Sequence, residues 1–97
     1  VVVMENRIEL RFTNTLTNLA GYDFGLNIYN TQVKGKINLN QPFEIIFPKQ
    51  IKGVASSFVQ GFFENIVEEI GLLQTEKNTR IISEKPGFAD MIMKKLQ

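Results

Sequence analysis

Phe58, Phe62, Ile66 and Ile70 recur at a spacing of four, and Val59, Phe63 and Val67 widen the same stripe. That repeat places them on one side of a 3.6-residue helix. Gln60, Glu64, Glu68 and Glu69 fall on the other, wet side. The spacing predicts a helix that starts at Ser56-Ser57 and stops at Gly71, where glycine supplies the left-handed position that helix ends favour. Ser57 with Gln60 three residues on fits a capping box, in which each side chain satisfies a free backbone donor at the helix start.

Upstream, Glu44-Ile45-Ile46-Phe47 is short, apolar and rich in branched and aromatic side chains, and Pro48 closes it by removing a ladder donor. It reads as a central strand, joined to the helix by a loop over Lys49 to Phe58. Arg7 to Phe12 alternates, with Ile8, Leu10 and Phe12 on one side and Arg7, Glu9 and Arg11 on the other, the pattern of a half-buried strand. After a polar loop, Tyr22, Leu26, Tyr29 and Val33 follow a helical repeat that stops at Gly35. Gly21 and Gly25 weaken this helix by about 1 kcal/mol each relative to alanine. They match no phosphate-loop spacing, and close packing of helix against sheet explains them better.

Ile37 and Leu39 form an extended approach to Phe43, with a turn at Asn40-Gln41-Pro42. Leu72 to Asn78 is a connection that turns polar as it proceeds. Thr79 to Ser83, centred on Arg80-Ile81-Ile82, is a third strand. Pro86 suits the first turn of a last helix, with Phe88, Met91, Ile92 and Leu96 on its apolar side and Lys94 and Lys95 complementing the dipole at its end. The order β-α-β-α-β-α predicts an α/β fold: a largely parallel or mixed sheet of about four strands, with helices packed mainly on one face.

The 97 residues make one domain, 1–97, with a single core and no linker or internal repeat. Net charge is +1, from 11 basic and 10 acidic residues spread along the chain, so no electrostatic pull toward nucleic acid is expected. Cysteine, histidine and tryptophan are absent, which removes disulfides, thiolate nucleophiles, imidazole bases and the usual zinc sites together. A Ser-Lys arrangement or a carboxylate pair is still open to composition, but no spacing points to one. The expectation is therefore a non-enzymatic protein without metal or cofactor. Val1-Val2-Val3-Met4 is apolar but is cut off by Glu5, short of a signal-peptide core or a membrane span, which reads as a soluble, cytoplasmic protein.

The residues that carry candidate chemistry are the serine pair and the loop before it. Ser56 and Ser57 either cap the helix or act as regulatory hydroxyls at its N-terminus. A phosphate there would meet free amides and the favourable end of the dipole. Lys49 and Lys52, with Gly53, are either solvated loop residues or the basic part of an anion- or partner-binding loop. Glu64, Glu68 and Glu69 are either an ordinary wet helix face or a docking surface for a basic partner. Phe62-Phe63 belongs to the core, and whichever ring lies at the stripe edge offers a sticky contact.

Strand, loop, serine pair and helix together resemble the STAS domain of anti-sigma factor antagonists, in which a similar strand leads to Asp-Ser-Ser-Gly. Val54-Ala55-Ser56-Ser57-Phe58-Val59-Gln60-Gly61-Phe62-Phe63 is similar to the helix start of the STAS-like family, small bacterial proteins often found with GHKL-type ATPases. The likeness runs from about Arg7 to Leu96 and is strongest over Phe43 to Gly71. In antagonists the first serine accepts phosphate from a partner kinase, and the matching residue here is Ser56. Ala55 stands where antagonists carry aspartate, and Phe58 where they carry glycine, so the carboxylate that would orient the hydroxyl is missing.

The resemblance implies a protein-interaction domain of a bacterial signalling system, partnered with a GHKL-type ATPase or kinase and gated at a serine. The alternative is a small-ligand or nucleotide-binding module that uses the same loop and helix N-terminus. Homodimerisation through the strand edge Arg7 to Phe12 or an apolar helix face is a further expectation.

Overall fold

The computed structural model describes residues 6–96, so the reading of Val1 to Met4 lies outside the described residues. The elements run β1 (Arg7–Glu9), β2 (Asn18–Leu19), α1 (Tyr22–Ile28), a π-helical turn (Tyr29–Val33), β3 (Phe43–Ile46), β4 (Gly53–Val54), α2 (Ser56–Ile70), α3 (Leu72–Asn78), β5 (Thr79–Ile82) and α4 (Phe88–Leu96). The fold is α/β. In place of a single sheet of about four strands, there is a parallel three-stranded sheet in the order β1-β3-β5 and a separate parallel pair, β2-β4.

The pair β2-β4 arises because the segments leaving β1 and β3 run side by side. Lys52 N donates to Thr17 O at 2.7 Å and Ala55 N to Leu19 O at 2.7 Å. Leu19 and Val54 fill the core beneath. Two residues per strand are too few to show a period, which is why the segments read as loops.

β3 is central, as its apolar composition predicts. Ile8, Ile45 and Ile81 form one cross-strand row, while Arg7, Glu44 and Arg80 form the next on the opposite face. Phe43, Ile45, Phe47, Ile81 and Leu10 are buried, whereas Arg7, Glu9, Arg80 and Ile82 are exposed. The buried face joins Phe58, Phe62, Ile66, Phe88 and Ile92 in one core. Helices thus cover one face, as two crossovers of the same hand in the order β1-β3-β5 require.

α2 begins and ends where its stripe places it, and Phe58, Phe62, Phe63 and Ile66 are buried. Both rings of Phe62-Phe63 are inside, so neither supplies the exposed contact expected at the stripe edge. Gly71 has φ +84° with ψ 160°, which turns the chain directly into α3. The polar connection over Leu72 to Asn78 is therefore helical. It is tied down by Thr75 Oγ1, which donates to Gly71 O at 2.7 Å, and by Asn78 Nδ2, which donates to Leu39 O at 2.9 Å. These buried polar partners replace the apolar stripe that sequence periodicity detects. Leu39 is likewise buried, outside any strand.

The first helix loses α geometry after Ile28 and finishes as the π-turn, and Gly35 follows at φ +79°. Gly25 and Ile28 are buried, while Tyr22, assigned to the apolar stripe, stands at the rim. Gly25 packs helix against helix, not helix against sheet. A Cβ there would collide with the carbonyl oxygen of Phe58 and sit 2.8 Å from Phe62 N. Gly61 is its counterpart on α2, facing the Tyr22 carbonyl oxygen with Leu26 N at 3.1 Å. Pro86 lies in the turn before α4, and Gly87 at φ +77° leads into the first helical residue, Phe88.

Candidate functional site

The C-terminal ends of the three sheet strands open on one edge of the molecule, where the loop over residues 47–52 is the organising piece. Ile51 anchors it in the core. Gln50 Nε2 donates to Thr13 O at 2.6 Å and to Leu16 O at 3.0 Å, which fastens the loop after β1 to the loop after β3. Lys85, two residues beyond the end of the third-strand segment at Ser83, donates from Nζ to the Lys52 carbonyl. All three strand-end loops are thereby stitched together, with Lys49, Lys52 and Lys85 exposed on them.

Lys85 was absent from the sequence-derived site. Its signal was positional: it follows its strand at nearly the same distance as Lys49 follows Phe47. Gly53 lies within β4, and a Cβ there would come within 2.7 Å of Asn18 Oδ1. Its lack of a side chain accommodates Asn18, so it acts as a packing residue of the β2-β4 pair.

The serine pair is divided in role. Ser56 is the first residue of α2 and is exposed. Ser57 does not cap the helix. The N-cap is Ala55, in extended conformation with no side-chain capping bond. The Ser57 Oγ instead accepts a 2.9 Å hydrogen bond from Gly21 N. Gly21 has φ +104° and precedes α1, so this bond latches the starts of the two helices. The capping box fails because the backbone approach at Gly25 and Gly61 brings Gly21 within reach of Ser57. A hydroxyl then satisfies a donor of the neighbouring segment in place of one of its own. With no side-chain cap, the first-turn N–H groups of α2 point toward solvent or toward an anion.

A separate groove lies outside this edge. A cleft of about 740 Å³ sits near the π-turn, lined by Tyr29, Asn38, Asn40, Asn65, Glu68 and Glu69 among others. Burial, and then the charge of Glu69, raise the Tyr29 hydroxyl above the ordinary tyrosine value. The Tyr22 hydroxyl is also raised, first by the neighbouring Glu64 carboxylate. Among the described residues, no cluster of three or more His, Cys, Asp or Glu side chains could hold a metal ion. No helix among them is long and apolar enough to cross a membrane.

No family model matches the chain, and neither a curated protein nor a solved structure does.

Proposed function

We propose that this chain is a non-catalytic protein-interaction domain of a signalling system, docking through the strand-end edge and gated at Ser56. The observation that supports this reading is the stitched edge itself. Three loops from three strands are cross-bonded into one surface that carries Lys49, Lys52 and Lys85, next to a helix whose first residue is an exposed serine. A surface held by its own hydrogen bonds loses little conformational freedom on docking. A phosphate on Ser56 would bring close to two negative charges to an uncapped helix N-terminus and change what that surface attracts. The STAS-like resemblance supplies the partner class, a GHKL-type ATPase or kinase of bacterial type.

The test uses native cell lysate with wild type, Ser56→Asp and a Lys49→Glu/Lys52→Glu double variant as baits. Bound proteins are read by mass spectrometry, and phosphopeptides of the wild type are mapped after incubation with lysate and ATP. The expected result is a partner lost or gained with Ser56→Asp, lost with the double variant, and phosphate on Ser56. Identical catches from all three baits, with Ser56 unmodified, would remove the gate and the docking edge together.

The uncapped α2 N-terminus also favours a second reading, a nucleotide or other anionic small ligand at the same edge. A thermal-shift panel of nucleotides separates the two. Stabilisation by a nucleotide that disappears in Lys52→Glu would replace the protein-docking reading.

A further inference from the structure

The helices leave an open groove of about 530 Å³ on the side of the molecule away from the sheet. Phe63, Val67, Leu72 and Leu96 form its apolar lining, and Tyr22, Glu64 and Glu68 stand around it. Two of its members, Tyr22 at 39% and Leu72 at 40%, belong to the few large apolar side chains left exposed. Leu73, 83% exposed, follows Leu72 on α3. An apolar trough bordered by polar residues is the usual form of a protein-docking surface.

The charges are one-sided. Glu64 and Glu68 lie one turn apart on α2, an arrangement of like charges that costs an isolated helix a few tenths of a kcal/mol. Neither is ion-paired among the described residues. Among the described residues the salt bridge present is Arg7–Glu44, on the sheet. Tyr22 feels the field of Glu64, Asp23 and Glu68 together. The lysines in the last turn of α4, Lys94 and Lys95, bridge to none of these carboxylates.

We infer that this groove docks a cationic amphipathic helix of a partner protein, with its apolar side chains on Val67 and Leu72 and its Lys or Arg side chains facing Glu64 and Glu68. Charge complementarity selects the cation. The backbone selects the helix: the groove is lined by helix residues and by no strand, so an extended segment would find no sheet edge to join and would leave its own amides unmatched. A helix brings its backbone bonds with it. Its side chains at i and i+4 repeat about 6 Å along the axis, matching the single-turn spacing of Glu64 and Glu68. A second copy of this chain fits poorly, because a two-fold contact through this face sets its uncompensated glutamates against their own copies. This surface is separate from the strand-end edge and stands whatever binds there.

The probe is a fluorescein-labelled helix-forming peptide of roughly 18 residues, long enough to hold a helix. It carries leucines at i, i+4 and i+7, flanked by arginines, and has a twin with glutamate at each arginine position. Binding to the full chain is read by fluorescence anisotropy, with circular dichroism confirming that each variant is folded. The arginine peptide is expected to bind wild type, and the glutamate twin at least about tenfold more weakly. Glu64→Lys/Glu68→Lys and the milder Glu64→Gln/Glu68→Gln should each weaken the arginine peptide. The charge reversal should do so by about tenfold or more, and added salt should weaken it in wild type. Leu72→Ser should weaken it independently, and Ser56→Asp should leave it unchanged. Any of three results would overturn the proposal: no binding up to about 1 mM, equal binding of the two peptides, or full affinity in the charge-reversed variant. A wild-type dimer that Glu68→Lys dissociates would also overturn it, by showing that a second copy occupies the groove.

Discussion

Thr79 opens β5 with its side chain in the core, and its hydroxyl is the buried side-chain polar atom with no hydrogen-bond partner among the described residues. A buried hydroxyl without a partner carries its desolvation cost uncompensated, on the order of 1–3 kcal/mol. Valine has nearly the same shape and an equal preference for strands. Thr79→Val is therefore expected to raise stability by about 1 kcal/mol, seen as a higher urea midpoint at unchanged slope. A lower midpoint would mean that the hydroxyl has a partner after all. The contrast with Asn78, one residue earlier, is instructive. Its amide is also buried, but it donates to Leu39 O and accepts from Gln74 Nε2 at 2.9 Å. Neither role can be read from the residue letters, since Thr-Arg-Ile-Ile and Glu-Lys-Asn suggest only a strand after a polar stretch. Ser57 shows the same limit, because its neighbours fit a capping box while its hydroxyl serves Gly21, 36 positions away.

At the scale of elements, the decisive contact is α1 on α2. Its aromatic filling is continuous: the Phe24 and Phe58 rings are 5.6 Å apart, Phe58 and Phe62 stack at 5.9 Å, and Tyr29 meets Phe62 edge-on at 5.9 Å. These rings surround two glycines that let the helix backbones touch. A methyl group at either site meets backbone atoms, which cannot rotate away as a side chain would. Gly25→Ala and Gly61→Ala are each expected to lower stability by about 2–3 kcal/mol, despite the better helix propensity of alanine. Gly35→Ala is the useful control. Space is open there and only its positive φ opposes substitution, so it should cost about 1 kcal/mol. Equal small effects at all three positions would show that α1 and α2 do not approach so closely. The two helices were legible from their stripes. Their contact was not, because glycine in a helix reads as a weakness until the partner is known.

For the whole molecule, the ion pair lies at the surface, while burial makes Tyr29 a source of alkaline pH dependence. The ion pair Arg7–Glu44, at 3.5 Å and well exposed, contributes no more than about 1 kcal/mol. Tyr29 has its hydroxyl raised above the ordinary 10.0 by burial and then by Glu69. Between the unfolded and folded values the native state holds the proton that the unfolded chain releases. The contribution of Tyr29 is thus complete below about 10 and falls as pH rises through the folded value. Urea midpoints measured from about pH 8 to about pH 11 should decline at the alkaline end, and Tyr29→Phe should decline less. A variant curve as steep as wild type would show that the tyrosine contributes nothing to the loss. Because the chain has two tyrosines and no tryptophan, tyrosinate absorbance follows the same titration directly, and both rings should ionise late.

What the chain determined by itself is whatever depends on neighbours a few residues apart. The α2 stripe, the in-and-out alternation from Arg7 to Phe12 and the apolar run Glu44 to Phe47 each reflect the geometry of one element against one core. The alternation of strands and helices then leads to a parallel α/β layer. Tertiary structure decided what depends on separation in space: the β2-β4 pair, the helical turn from Leu72 to Asn78 held by buried polar bonds, and Gly61 as the counterpart of Gly25. It also decided the joining of Lys85 to the Lys52 carbonyl and the gathering of Tyr22, Leu72, Glu64 and Glu68 around one groove. Periodicity records which side of an element is buried. It does not record which element covers that side, and the candidate surfaces of this protein are formed by those choices.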